Sequence, residues 1–148
     1  MSTKNFQISS SNDISLFLNK FLFGEISISD FKTILKDYIQ IDYSSAPRVR
    51  KILKISIDSS IKIPVKKEHL LKMLKKFQLN EISDVDVSNW ASLIFMLPCF
   101  IPEGSTEEEQ WEAGEGPVWI VLQQLAVPEI FDGLDYIIAG NLIDKLST

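Results

Sequence analysis

The segment LNKFLFGEIS, residues 18–27, carries a pattern that returns 56 residues later as LKKFQLNEIS, residues 74–83. Each copy ends an apolar helical stripe with Gly24 or Asn80, the residue types that best tolerate the left-handed conformation just past a helix end. After the first copy, either Ser27 or Ser29 can cap the following helix. The pattern predicts two helical hairpins, and the alternative is a chance similarity between two common turns.

Apolar residues at helical spacing on both sides of each turn support the two hairpins. They are Ile14, Phe17, Leu18, Phe21 and Leu22, then Phe31, Ile34, Leu35, Tyr38 and Ile39, and in the second hairpin Leu70, Met73, Leu74 and Phe77, then Val87, Trp90, Ala91 and Ile94. Two copies are too few for a solenoid, which needs about three or more repeats. A further amphipathic helix is expected from Pro117 to Ala126, and a last one after Leu134.

Residues 49–65, between the hairpins, fit two patterns. Val49, Ile52, Leu53 and Ile57 have helical spacing, whereas alternating isoleucines around residues 58–60 are typical of a β-hairpin. Helix is the preferred interpretation, because an isolated two-stranded ribbon between helices would have no sheet to join.

The expected fold is therefore all-α, an irregular bundle of about six or seven helices built on two helical hairpins. A chain of 148 residues has the usual size of one domain, so residues 1–148 are expected to form a single helical domain. No apolar stretch approaches the roughly 20 residues of a membrane span, and no membrane partner is expected. One cysteine, Cys99, fits a reducing compartment, so a cytoplasmic location is expected.

The charges of the chain are segregated along the sequence. Residues 1–76 hold 14 basic and 7 acidic residues, whereas residues 77–144 hold 13 acidic residues and no lysine or arginine. Such an asymmetry points to a charged partner, or to attraction between the two halves.

The sequence contains no recognisable catalytic or metal-binding pattern. His69 is the only histidine, and we expect it at the surface or at the start of a helix. Residues 84–95 begin like a calcium-binding loop, with Asp84 and Asp86 at its first and third positions. The sixth position, however, is Asn89 instead of glycine, and the twelfth is Phe95 instead of glutamate. We therefore expect no enzyme activity, no catalytic residue, no metal site and no cofactor.

The basic stretch from Arg48 to Lys76 is the best candidate for a nucleic-acid site, with ten lysines and arginines. It has no interleaved stacking aromatics, and the acidic second half would repel a phosphate backbone. A solvated helix face is the preferred interpretation, and no nucleic-acid partner is expected.

The acidic segment from Glu103 to Glu115 is the first candidate for a partner-binding surface. It holds six glutamates in thirteen residues, with a tryptophan among them, and tryptophan commonly anchors protein interfaces. The candidate partner-binding residues are Glu103, Glu107, Glu108, Glu109, Trp111, Glu112 and Glu115, together with Asp84 and Asp86. The alternative for the segment is a solvated first turn of a helix, in which Ser105 and Glu108 form a capping box.

Three stretches of the second half resemble the small helical immunity proteins that accompany bacterial polymorphic or contact-dependent growth inhibition toxins. They are residues 80–91, residues 114–119 and residues 125–128. The resemblance implies an antitoxin that binds and neutralises a cognate toxin domain by occluding its active site or substrate surface. An acidic inhibitor suits a nuclease toxin, because the phosphate-binding surface of a nuclease is usually basic. The alternative is a helical adaptor protein unrelated to toxins.

Overall fold

The computed structural model of the chain describes residues 10–42, 52–102, 117–126 and 134–147. These residues form six helices: α1 (Ser11–Leu22), α2 (Ile28–Ile34), α3 (Lys67–Gln78), α4 (Asp84–Met96), α5 (Pro117–Ala126) and α6 (Tyr136–Ser147). They also form four short strands: β1 (Ile39–Ile41), β2 (Ile52–Ile55), β3 (Ile63–Val65) and β4 (Phe100–Pro102). Helices dominate the described part of the chain.

Both helix–turn–helix units expected from the repeated pattern are present. The hydroxyl of Ser27 accepts the amide N–H of Asp30 at 3.0 Å and so caps α2. The hydroxyl of Ser83 accepts the amide N–H of Asp86 at 3.1 Å and so caps α4. The serine of each copy thus satisfies an otherwise unpaired amide in the first turn of the second helix.

One hydrophobic core joins the helices. Phe17, Phe21 and Phe31 are fully buried, and the rings of Phe21 and Phe31 lie 4.6 Å apart, which packs α1 against α2. Helix α4 packs mainly on α5, and α3 packs mainly on α6. The expected boundaries of α5 are confirmed, and its apolar positions Val118, Val121, Leu122, Leu125 and Ala126 are all buried.

The strands form two small sheets. Strands β1 and β2 pair antiparallel, with Ile39 opposite Ile55 and an irregular register between Gln40 and Ile41. Strands β3 and β4 pair in parallel, with Ile63 opposite Phe100. The chain passes through α3 and α4 between β3 and β4, which is the long crossover that a parallel pair needs. In β1 and β3 alternate residues are buried, so one face of each strand lies on the core.

The all-α expectation is wrong, because the structure adds two sheets to the helices. The helix preferred for residues 49–65 is also wrong in the described residues 52–65, which contain β2 and β3. The β-hairpin alternative was right that this region contains strands, but β2 ends at Ile55 and β3 begins at Ile63. Its pairing was wrong, since β2 pairs with β1 and β3 pairs with β4. Likewise the helix expected from Phe31 to Ile39 ends at Ile34, and Ile39 begins β1. These β-branched residues form strands because they hydrogen-bond to strands distant in the sequence, and the local spacing of apolar residues does not reveal such pairing.

Candidate functional site

The two turns of the repeated pattern have the same backbone geometry. Gly24 has φ of 73° and Asn80 has φ of 60°, both in the left-handed region. The residue after each one closes the helix end in the same way: the amide of Glu25 donates to the carbonyl of Lys20, and the amide of Glu81 donates to the carbonyl of Lys76, each at 3.0 Å. Because of this bonding the two turns are well-defined structures.

The first turn lies directly against α3. The ammonium group of Lys76 donates a hydrogen bond of 3.1 Å to the carbonyl of Gly24. A β-carbon at Gly24 would lie 2.6 Å from the sulfur of Met73, so a larger residue here requires the Met73 side chain to move. The last turn of α3 therefore holds the first turn in place.

Helix α4 is joined to the end of α1 by a buried tryptophan. The indole N–H of Trp90 donates a hydrogen bond of 3.0 Å to the carbonyl of Phe21. Trp90 is 2% exposed, as expected for a core residue. The bond fixes the first turns of α4 beside the turn between α1 and α2.

A cleft of about 240 Å³ lies where these elements meet. We call it the turn cleft, and it is lined by Phe21, residues 24–28, Met73, Ile82, Asp86 and Trp90. Both copies of the repeated pattern contribute to it, because residues 24–28 belong to the first turn and Ile82 to the second. Most of the lining side chains are apolar.

The charged groups that line the turn cleft are both acidic. Glu25 and Asp86 are exposed and supply two carboxylates. The carboxylate of Asp86 also accepts the amide N–H of Ser83 at 3.0 Å, so its orientation is fixed by the cap of α4. The ammonium group of Lys76 donates to the carbonyl of Gly24 and would lie 3.3 Å from a β-carbon on that residue, so one positive charge stands close to the cleft. The turn cleft therefore combines an apolar lining with two carboxylates and one neighbouring ammonium group.

Two of the expected partner-binding residues lie in the described part of the chain. Asp86 lines the turn cleft, and Asp84 is exposed at the first position of α4. The other expected residues lie outside the described residues. These are Glu103, Glu107, Glu108, Glu109, Trp111, Glu112 and Glu115.

Sequence reasoning missed the contribution of the first turn to this site. Glu25 was not a candidate, because its charge lies in the basic half of the chain. The repeated pattern held a usable signal, since it aligns Gly24 and Glu25 with Asn80 and Glu81, just before Asp84 and Asp86. The pattern could show that the turns are alike, but their contact depends on tertiary packing.

The two residues with the most reactive side chains, Cys99 and His69, are both buried. Burial raises the pKa of the Cys99 thiol to about 11, which favours the unreactive protonated form. His69 lies in the first turn of α3, which is one of its two expected positions, and it is buried, with its Nδ1 accepting the amide N–H of Lys66 at 2.9 Å. Burial lowers the pKa of His69, as does the nearby charge of Lys66, against an opposing effect of Glu68.

Within residues 10–42, 52–102, 117–126 and 134–147, no group of three or more histidine, cysteine or acidic side chains is placed to hold a metal ion. In the same ranges, no helix has both the length and the apolar character needed to cross a membrane. Comparisons of the chain with protein-family models, with curated proteins and with solved structures find no match.

Proposed function

We propose that this chain is an immunity protein that binds a basic toxin domain in the cytoplasm and blocks its active site or substrate surface. The observation that carries the proposal is the charge segregation, with 13 acidic residues and no lysine or arginine in residues 77–144. A long stretch of one sign attracts a partner of the opposite sign and speeds encounter. The resemblance of residues 80–91 to immunity proteins supplies the class of partner.

The surface of the second turn supports a protein partner. Leu79 and Val85 are 71% and 61% exposed, although both are large apolar side chains. Between and beside them along the chain lie the exposed carboxylates of Glu81, Asp84 and Asp86. Exposed apolar side chains among charged groups are typical of a binding surface, in which the apolar part is desolvated and the charged rim steers the partner.

The proposal also suits the chemistry of the described residues. An inhibitor that occludes a surface needs no nucleophile or general base, and the buried His69 and Cys99 are poorly placed to act as either. The partner is proposed to be a nuclease, because a surface that holds nucleic-acid phosphates is basic.

An immunity gene is expected to follow the gene of its toxin, so a binding experiment with the protein encoded immediately upstream tests the proposal. The C-terminal domain of that protein, called the adjacent toxin domain, is purified, and its catalytic activity is measured with increasing amounts of this protein. We expect inhibition that is complete near a one-to-one ratio, together with a complex stable in gel filtration. An unrelated toxin domain of similar charge is the control for non-specific attraction. Absence of both binding and inhibition with the adjacent domain would contradict the proposal and favour an adaptor role.

A further inference from the structure

The turn cleft has the dimensions of a pocket for one or two side chains. Its volume of about 240 Å³ is below the roughly 300–1,000 Å³ of pockets that hold drug-sized ligands. Ile28 and Ile82 are half-buried and supply apolar surface that an occupant can reach, whereas Phe21, Met73 and Trp90 also line the cleft but are almost fully buried. An apolar or aromatic group therefore suits its interior.

The carboxylates of Glu25 and Asp86 favour a positively charged occupant. Glu25 and Asp86 line the turn cleft, and no lysine, arginine or histidine of the described residues does so. The ammonium group of Lys76, which donates to the carbonyl of Gly24, is the one cation close to this lining among the described contacts of Gly24, so the two carboxylates outnumber it. A positive group beside the apolar one would meet two carboxylates, whereas a negative group would be repelled.

The walls of the turn cleft are held before any ligand arrives. Three contacts fix them: the bond from Lys76 to Gly24, the bond from Trp90 to Phe21 and the cap between Ser83 and Asp86. A pocket whose groups are already positioned loses little conformational entropy on binding. This rigidity favours recognition of a defined side-chain pair.

We propose that the turn cleft is an anchor pocket for a cationic and apolar element of a protein partner, a lysine or arginine next to an aromatic or large aliphatic side chain. The identification of that partner as a basic toxin domain rests on the proposed function. The chemistry of the occupant rests on the two carboxylates and the apolar lining, which are independent of the toxin.

Two small probes separate the apolar and the charged contributions. Tryptamine carries an indole ring and an ammonium group, and indole-3-propionate carries the same ring with a carboxylate. Each is titrated into the ¹⁵N-labelled protein, and the shifts of the amides of Gly24, Glu25 and Asp86 and of the indole N–H of Trp90 are followed. We expect tryptamine to bind with a dissociation constant in the millimolar range and at least five times more tightly than indole-3-propionate.

The repeated pattern provides a matched pair of variants. Glu25 and Glu81 occupy the same position in their turns, but only Glu25 lines the turn cleft. Glu25→Gln should weaken tryptamine binding about three- to fivefold, and Glu81→Gln should leave it within a factor of about 1.5. Equal affinity for the two probes, shifts that map elsewhere, or equal effects of the two variants would overturn the assignment.

A second experiment tests whether the protein partner binds in the turn cleft. In a complex with the adjacent toxin domain, Glu25→Gln should weaken binding about threefold or more, and excess tryptamine should compete with the toxin domain. A toxin complex that is insensitive to both would overturn the anchor pocket while leaving the inhibitor proposal intact. The probe titrations need no toxin, so the absence of a toxin complex contradicts the proposed function separately from the chemistry of the pocket.

Discussion

The ammonium group of Lys76 lies 3.1 Å from the carbonyl oxygen of Gly24 and joins two turns of the same sequence pattern. Lys76 belongs to the second copy of the pattern and Gly24 to the first. The close approach favours glycine, since a β-carbon there would lie 2.6 Å from the sulfur of Met73 and displace that side chain. The fold around the turn cleft is thus built by one pattern used twice and packed against itself.

Substitution of the two left-handed residues should have unequal effects on stability. Gly24→Ala introduces a β-carbon at φ of 73° and displaces the Met73 side chain, so we expect the free energy of unfolding to fall by about 2 kcal/mol. Asn80→Ala introduces only the backbone strain and should cost about 1 kcal/mol. Urea denaturation measures both. Equal losses in the two variants would argue against the close contact of the first turn with α3.

Substitution of the two tryptophans in the described residues should also have unequal effects on the free energy of unfolding. Trp90→Phe removes the bond to the carbonyl of Phe21 and part of the core, and should lower the free energy of unfolding by about 2 kcal/mol. Trp119 is half-buried and stacks on Phe95 at 5.0 Å between ring centres, so Trp119→Phe should cost about 1 kcal/mol or less. Denaturant midpoints compare the variants, and a larger loss for Trp119→Phe would contradict the role given to Trp90.

How much of this site the sequence predicts depends on the distance between partners. The left-handed Gly24 and Asn80 were expected from local chemistry, and Ser27 was one of two expected caps, whereas the cap at Ser83 was not predicted although it follows from the same chemistry. The strand pairing was missed because the residue paired with Ile63 is Phe100, beyond two helices. Glu25 was missed for the same reason, since its proximity to Asp86 depends on packing between elements far apart in the chain.

The stability of the fold should decrease in mild acid because of His69. In the folded protein the Nδ1 of His69 accepts the amide N–H of Lys66, and burial lowers the pKa of the His69 imidazole below its usual 6.5. The folded state therefore binds a proton at His69 more weakly than the unfolded chain does. The contribution of His69 to stability is fully present above pH 6.5 and is lost as the pH falls from 6.5 through the pKa of the folded state. Unfolding free energies measured between about pH 7.5 and pH 5 test this sign.

His69→Gln supplies the control for this pH dependence. Glutamine at the third position of a helix can accept the same amide but has no charge to gain. The variant should show a flatter stability profile over this pH range. An unchanged slope would mean that another group causes the acid sensitivity.

Cys99 should react slowly while the protein is folded. With its pKa raised from 9.0 to about 11, the thiolate fraction at pH 8 is about a hundredfold lower than in the unfolded chain. Burial of the side chain slows the reaction further, since Cys99 is 3% exposed. Alkylation by iodoacetamide, followed by mass spectrometry with and without urea, gives the ratio. Comparable rates in the two conditions would contradict the buried position.

The salt dependence of association with the adjacent toxin domain tests the central claim most directly. Stopped-flow mixing between about 50 and 500 mM salt measures the association and dissociation rates separately. If the acidic residues steer a basic partner, the association rate should fall about tenfold or more over this range, while the dissociation rate changes little. An association rate that is constant or rises with salt would contradict recognition of a basic partner by this chain.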